Sequence, residues 1–428
     1  MLFPLFCDKI DYGIIGVVSF LRFISERKRR VRRCVLGVRV GRATDTNNFK
    51  KGKTMKLITA GESHGKELLG VIEGFPAHVK LDFDRIDRAL ALRQSGYGRG
   101  ARQKIERDTV EFMAGVRDGE TLASPIAFRV VNRDYANWEK IMDAREADTS
   151  LRTVTKVRPG HADLTGMIKY GQTDARNILE RSSARETAVR VAAGSICKEL
   201  LLALGVEISG YVKEVCGVKD EREYAFSELA RAKEEPLFML DAEAQQRAMA
   251  KIDRIRASGD TAGGKICVRV KGLKRGFGSC MSYEEKLDGK LCGALMSVQA
   301  IKGVEVGMGM EVASHAGSEV HDEIYYDGEF LRKTNRAGGI EGGMSNGEEI
   351  VLTCAMKPIP TLMRGLETVD YLTHEPMRAD TERSDVCAVC ACEIILESVV
   401  ATVLCQEVLK RVGGDTMEQV LCRYRDLP

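Results

Sequence analysis

ARETAVRVAAGSICKELLL, residues 184–202, reads as a helix: Ala188, Val191, Ala192, Ser195 and Leu202 fall on or near one side of it at helical spacing. Ser182-Ser183 stands at its opening, where unpaired backbone N–H groups and the helix dipole favour an anion. A second helix is expected over VCAVCACEIILESVVATVLCQEVLKRV, residues 386–412, with Ile395, Val399, Leu404 and Val408 inside it. Upstream, Asp82 can cap a helix running to Gln94, in which Ile86, Leu90 and Arg93 recur at helical spacing. Short strands are expected at Met55–Ala60, Val110–Met113, Ile126–Val131 and Lys265–Val270, with a turn at Asp118-Gly119 between the second and the third. Pro236–Ser258 reads as a charged helical excursion at the surface. Helices and strands interleave without a strict βαβ rhythm, so the expected class is α+β.

Composition narrows the function classes. The chain has 428 residues, 44% hydrophobic and 30% charged, which suits a globular protein and excludes a disordered chain, a collagen-like repeat or a multi-span membrane protein. Residues 1–54 hold 13 Lys/Arg against 4 Asp/Glu, a net of +9, and the remaining 374 residues carry −6. A mildly acidic body gives no case for nucleic-acid binding. In the basic segment a short apolar run, Gly13–Leu21, precedes Arg27–Arg33. A secretory signal has the opposite order, and the run is too short to span a membrane. A transit peptide and a basic arm for RNA are two readings of these residues. The expectation is instead that 1–54 is an extension outside the fold, and that the functional protein is one domain over 55–428, starting at Met55. The 13 cysteines, an odd number scattered through apolar stretches, point to free thiols in a reducing cytoplasm. Cys387, Cys390 and Cys392 do not read as a metal site, because helical residues two apart lie about 200° apart around the axis. Packing is their expected role, and no metal is expected.

Three glycine-rich turns stand out: GESHG at 61–65, GYGRG at 96–100 and GGIEGG at 338–343. Glycine lets a backbone approach a ligand closely. None of the three matches a nucleotide phosphate loop or a dinucleotide fingerprint; together they are expected to converge on something flat or anionic. Of the six histidines, His64 and His161 sit in such turns, the latter in Pro159-Gly160-His161-Ala162-Asp163. A loop histidine suits proton transfer near neutral pH, and the alternative is that each satisfies a backbone group. His78, His315, His321 and His374 lack such settings and are expected to be surface or structural. Arg93, Arg99, Arg102, Arg158, Arg185 and Arg383 recur beside these turns. Guanidinium forks match carboxylate and phosphate oxygens, which fits a pocket for a small substrate with several negative charges. Lys357-Pro358-Ile359-Pro360-Thr361 is stiff enough to hold a backbone wall in place.

These blocks resemble the chorismate synthase family. The resemblance rests on Gly61–Gly65 running on to Glu73-Gly74-Phe75-Pro76, on Glu180-Arg181-Ser182-Ser183-Ala184-Arg185-Glu186-Thr187, and on Glu382-Arg383-Ser384-Asp385 through Glu397. Between them lie Arg93–Gly100, Arg158–Asp163 and Asn346–Thr361, in the family's order, so that the likeness covers about Met55 to Cys422. It implies one large β-α-β sandwich body and a homotetramer. It implies that 5-enolpyruvylshikimate 3-phosphate loses phosphate and a C6 hydrogen in an anti-1,4-elimination that gives chorismate. Reduced FMN is needed without net redox change: the flavin lends electron density as phosphate departs and takes up the C6 hydrogen. NADPH is a candidate reductant, and a separate flavin reductase a candidate partner.

By the same resemblance His64 serves the leaving phosphate, with Ser63 and Ser183 as relays, and His161 serves the reduced flavin. Asp385 accepts the proton from flavin N5. The flavin is expected against Ser182, Ser183, Ala184, Gln299, Ala300, Gly342, Lys357, Pro358, Ile359, Pro360, Thr361 and Arg383. Arg93, Arg99, Arg102, Arg158 and Arg185 are expected to hold the substrate, with Arg93 and Arg99 open to NADPH instead. Gln299 stands where many relatives have Asn, and the three thiols near 390 replace mostly small residues. Two rivals come from other classes. A flavoprotein reductase needs a nicotinamide site, and no such fingerprint is visible; an RNA-binding protein would need residues 27–33.

Overall fold

The computed structural model describes residues 54–100, 107–379 and 385–428. The expectations placed on residues 1–53, and those on Arg102 and Arg383, lie outside these. Two antiparallel sheets enclose a layer of helices. In the first, β1 (Lys56–Ala60) pairs with β2 (Glu67–Glu73), and β3 (Glu111–Ala114) with β4 (Ile126–Val131), in the order β1-β2-β4-β3. Side chains alternate between the faces of a strand, so Leu68 and Ile72 of β2 and Ile126, Phe128 and Val130 of β4 point together into the core. Gly70 lies opposite Phe128, and a Cβ there would come within 2.2 Å of the ring. On the other face Arg129 pairs with Glu67 and Glu111. The Asp118-Gly119 turn closes a small hairpin of its own, Val116–Arg117 against Glu120–Leu122, rather than joining β3 to β4 directly.

The second sheet contains β5 (Glu207–Val215), β6 (Val218–Lys219), β7 (Gly264–Lys271), β8 (Ile301–Val306) and β9 (Ile350–Met356), in the order β8-β9-β7-β5-β6. Val268 pairs with Leu352 and Ile266 with Cys354, all fully buried.

Three helices fill the layer between the sheets: α1 (Phe83–Arg93), α4 (Thr187–Ala203) and α7 (Val389–Val412). Asp82 caps α1, accepting a hydrogen bond from the N–H of Arg85. α4 packs on β2, α7 packs on β5 and β7, and both helices are buried around most of their circumference, as helices with cover on both sides must be. α7 is long and apolar enough to cross a membrane, but 89% of its most apolar stretch is buried inside this fold. α4 and α7 cross at Gly194, where a Cβ would lie 2.3 Å from the carbonyl oxygen of Ser398. The observed architecture is the β-α-β sandwich.

A charged cluster lies inside the core. Lys233 pairs with Glu393 and, at 3.0 Å, with Glu397, which also meets Lys198 at 2.5 Å and accepts the Gly210 N–H at 2.7 Å. Burial and the neighbouring Glu397 push the Glu393 carboxyl up. Burial also opposes ionisation of Glu397, but Lys198 and Lys233 outweigh it and hold that carboxyl down. Adjacent carboxylates in one dry site divide in this way.

Three expectations need correction. The helix expected from Ala184 begins at Thr187, because Ser183 is extended and Ala184–Glu186 form a separate 3₁₀ turn. Pro236–Ser258 is not one exposed helix: Leu237–Leu240 are buried, and only Ala242–Ala257 (α5) is helical, with Ala244, Ala248 and Ile252 packed inward. Cys387 precedes α7 rather than sitting in it. Two short helices also went unassigned, α2 (Asp163–Tyr170) and α3 (Arg176–Ser182). A further helix, α6 (Leu287–Met296), leads to the Gln299-Ala300 segment.

Candidate active site

The β1–β2 connection needs its glycine: at Gly61, with φ +105°, a Cβ would lie 2.5 Å from the Glu67 carbonyl oxygen. That turn presents Ser63 and His64 to the end of α3. The N–H of Ser63 donates to the Glu180 carbonyl at 2.9 Å, and the N–H of His64 to the Glu180 carboxylate at 2.7 Å. The His64 ring joins the same carboxylate through Nδ1, at 2.8 Å from Oε1, and Arg176 donates to that oxygen at 3.2 Å. Burial alone would raise the Glu180 carboxyl, but the His64 bond and the Arg176 charge outweigh it and leave it below the ordinary carboxylate value. The imidazole lies flat on Trp138, with ring centres 3.8 Å apart, and Arg152 and Arg176 stand 4.1 and 5.0 Å from the indole centre. The indole N–H donates to Asp134.

Ser63 and Ser183 hydroxyls meet at 3.2 Å, which joins the first glycine turn to the 182–187 block. Ser183 also accepts the N–H of Arg185 at 3.3 Å, and Ser182 donates to the Leu179 carbonyl at 3.4 Å. Arg185 and Arg93 come together on Asp108, at 2.5 and 3.7 Å. Arg93 also donates to Thr187 and to the Ala184 carbonyl, each at 3.0 Å.

Asp385 sits against the second glycine turn. It accepts the Gly100 N–H at 2.6 Å and pairs with Arg99 at 2.8 Å, while the N–H of Val386 donates to Gly98. The Arg99 Nε is buried without a hydrogen-bond partner among the described residues. Beneath the turn lie two thiols. A Cβ at Gly96 would come 2.5 Å from the Cys390 Cβ, and one at Gly98 would come 2.8 Å from the Cys387 Cβ. Burial pushes the Cys387 thiol up to about 11, and raises those of Cys390 and Cys392 as well. Among the described residues no group of acidic, histidine and cysteine side chains could hold a metal.

His161 repeats the arrangement of His64. Its Nδ1 lies 2.5 Å from Oδ1 of Asp163, a fully buried carboxylate that accepts from Arg158 Nε at 2.8 Å. Burial would raise Asp163, but the bonds and charges of His161 and Arg158 outweigh it and hold it well below the usual carboxylate range. Arg158, expected on substrate, is therefore engaged behind His161, and its Nη2 also lies 3.0 Å from the His161 Nδ1. Lys357 reaches this loop through a bond to the Gly160 carbonyl, and its N–H donates to the Ala300 carbonyl at 2.9 Å. The Ile359 carbonyl accepts from Thr261. Gln299 donates to Glu186 at 3.3 Å, one residue beyond Arg185. A cleft of about 710 Å³ between α2 and α3 runs from Ala162 to Ser182.

The structure thus brings together Ser63, His64, Ser183, Arg185 and Arg93, ties Gln299 to their edge, and links Ala300 and Lys357 to the His161 loop. In the third glycine turn Gly338 packs on Gly307 and Gly339 on Glu349, whereas an added Cβ at Gly342 would meet only Cys280, at 3.9 Å. Gly338 and Gly339 thus serve close backbone contact at the second sheet. His78, His315, His321 and His374 are all exposed. Sequence reasoning passed over Glu180, Asp163, Asp108, Arg176, Arg152 and Trp138 as functional residues. Arg176 and Glu180 do carry a signal, the i,i+4 spacing of a helical ion pair.

Comparison with known proteins adds to this geometry. The family model described as chorismate synthase matches residues 55–409. The chain is 53% identical over 368 residues to the chorismate synthase of Alkaliphilus metalliredigens, with 85% of this chain and 97% of that protein covered. It is 50% identical over 378 residues to that of Thermus thermophilus, covering 87% and 99%. A crystal structure of chorismate synthase superposes with a TM-score of 0.70 at 35% identity, over 88% of this chain and 97% of that one.

Proposed function

Because the chain belongs to the chorismate synthase family, we propose that it converts 5-enolpyruvylshikimate 3-phosphate to chorismate by anti-1,4-elimination of phosphate, as a carbon–oxygen lyase using reduced FMN without net redox change. Family membership itself makes it an enzyme of the shikimate pathway and aromatic amino-acid biosynthesis. The observation that carries the finer reading is the meeting of Ser63 and Ser183 at 3.2 Å, beside His64 and the Arg185–Asp108–Arg93 group. That meeting joins sequence blocks far apart in the chain around one anion-binding wall.

The residues present suit a flavin. The Gln299 Oε1 is buried without a partner among the described residues, and a flavin ring offers N–H donors to such an acceptor. Ala300 holds φ +70°, a conformation uncommon for alanine that the surrounding structure must impose. Ser182, Ser183, Ala184, Gln299, Ala300, Gly342, the 357–361 segment and Arg383 would hold the flavin. When bound, reduced FMN supplies electron density to the reacting allyl system as phosphate leaves and takes up the C6 hydrogen.

The chain's own groups do the rest. Arg93 and Arg185 bind the anionic substrate in a buried setting, where charge-assisted hydrogen bonds are strong. His64, as the imidazolium whose Nδ1–H is held by Glu180, gives its Nε2 proton to the departing phosphate and is left neutral, and Ser63 and Ser183 carry hydrogen bonds between them. His161, held by Asp163, supplies the second proton, and Asp385 is the carboxylate that takes one up. NADPH or a separate reductase provides the reduced flavin, and the working assembly is a homotetramer. The described cysteines are all free thiols, which suits a cytoplasmic enzyme.

The deciding assay is anaerobic. The full chain, 5-enolpyruvylshikimate 3-phosphate and chemically reduced FMN should give chorismate and phosphate in equal amounts, and oxidised FMN should give neither. A folded, FMN-binding protein that forms no product would refute the proposal.

A further inference from the structure

The two loop histidines are seated alike, although their loops are unrelated in sequence. Each meets a buried carboxylate through Nδ1: His64 on Glu180 at 2.8 Å, His161 on Asp163 at 2.5 Å. Each carboxylate is clamped in turn by an arginine four or five residues away, Arg176 at 3.2 Å and Arg158 at 2.8 Å. For His64 a third restraint is added, the face of Trp138 at 3.8 Å, with Arg152 and Arg176 also against the indole. Such an arrangement costs burial of two carboxylates, and neither lies in the hydrophobic core where packing alone would account for it.

We propose that Glu180 and Asp163 are positioning residues: each arginine-clamped carboxylate holds the Nδ1–H of its histidine, so that the neutral ring is the Nδ1–H tautomer; at His64 this leaves Nε2 as the proton-transferring atom, whereas at His161 the Arg158 Nη2 also lies 3.3 Å from Nε2. The inference rests on the function proposed above. An imidazole can rotate and can carry its proton on either nitrogen. With Nδ1–H held on a carboxylate, the imidazolium carries its second proton on Nε2 in one fixed orientation; delivering it leaves the neutral Nδ1–H tautomer with Nε2 ready to take up the next proton, as partners behind ligating and catalytic histidines arrange generally. Glu180 does more than accept from the ring. The His64 N–H donates to its second oxygen, so one carboxylate sets the loop backbone and the imidazole together. Trp138 then blocks rotation of the ring out of that plane.

The test uses the full chain labelled with ¹⁵N in its six histidines, with the tautomer read from long-range proton–nitrogen spectra. Wild type should show Nδ1–H at both His64 and His161 when neutral. Glu180→Ala should move His64 toward Nε2–H and leave His161 unchanged; Asp163→Ala should do the reverse. In turnover, Glu180→Ala should lower kcat by about 100-fold or more, the usual worth of one positioned acid, with KM and FMN affinity within about twofold. Glu180→Gln keeps an acceptor for Nδ1 and should retain the tautomer and recover part of the rate. That variant decides the matter should the alanine form fail to fold. A lowered melting temperature with unchanged tautomer and unchanged kcat would overturn the proposal and leave Glu180 a structural residue. If wild type forms no chorismate, the functional reading fails by itself, and the tautomer shifts still decide whether these carboxylates set the rings.

Discussion

Gly194→Ala is the substitution for which local preference and packing predict opposite signs. Alanine favours a helix interior over glycine by about 1 kcal/mol, so α4 taken alone should gain. In the fold, however, the new Cβ would lie 2.3 Å from the Ser398 carbonyl oxygen, 2.5 Å from its Cα and 2.5 Å from its Cβ. Nonbonded carbon contacts settle near ~3.5–4.0 Å, and two of these obstacles are backbone atoms that cannot rotate aside. α4 and α7 must therefore part by about 1 Å at the centre of the helical layer. Overpacking of a tight core costs about 1–3 kcal/mol; with a backbone obstacle the upper end applies, which leaves a net loss of about 2 kcal/mol after the propensity gain. Gly293 in α6 supplies the control. It is exposed, with nothing within 4 Å of the added carbon, so Gly293→Ala should stabilise by about 0.5–1 kcal/mol. Urea unfolding at matched protein concentration measures both. A midpoint for Gly194→Ala at or above wild type, with an unchanged slope, would refute the claim that the helices touch through this glycine.

Lys233→Met should destabilise the protein by about 3–5 kcal/mol, because it strands Glu397 in the core without one of its two cations; an unfolding midpoint within error of wild type would count against that cluster. Asp163 is held low in the folded state, so its contribution to stability is present above the unfolded value near ~4 and is lost as pH falls through the lower folded value. Asp163→Asn should accordingly flatten the acid side of the stability profile below about pH 4, and an unaltered acid limb would argue against the His161–Asp163–Arg158 geometry. Alkylation followed by peptide mapping should label Cys216, Cys280 and Cys422, which are exposed, well before Cys387, Cys390 and Cys392; early labelling of Cys390 would contradict its burial. Trp138 is the single tryptophan and stacks on His64, so its emission should change in His64→Ala, and an unchanged spectrum would count against that stacking.

The helices were legible where the chain's own periodicity is reinforced by burial. Asp82 through Gln94 was bounded correctly because a capping carboxylate marks its start. The α4 start was misplaced because Ala184–Glu186 continue the helical pattern while Ser183 breaks it, a kink that spacing does not reveal. Ile350–Met356 alternates buried and half-buried residues throughout, yet its short apolar run is as compatible with a helix when seen alone. At the site, the loop histidines and most arginines could be nominated from composition and turn chemistry, and Ser63 only through the family resemblance. Their partners could not. Glu180 meets His64 across 116 residues, and Asp108 meets Arg185 across 77; nothing local to either residue announces the pairing. Arg158 shows the limit most clearly, since a guanidinium beside a glycine turn gives no local sign of the carboxylate it pairs with.

The glycine turn at 96–100 and the thiols of Cys387 and Cys390 occupy what is in effect one shared volume. That makes them a single unit of inheritance. A lineage that exchanges Cys390 for valine or leucine displaces Gly96, and with it the loop that carries Arg99 to Asp385. A lineage that places any side chain at residue 96 or 98 meets the same thiols from the opposite direction. Divergence at these positions should therefore be confined to residues no larger than cysteine, or should arrive as paired exchanges on both segments. The two segments constrain each other through side-chain size, and the chemistry of the thiols plays no part in that packing.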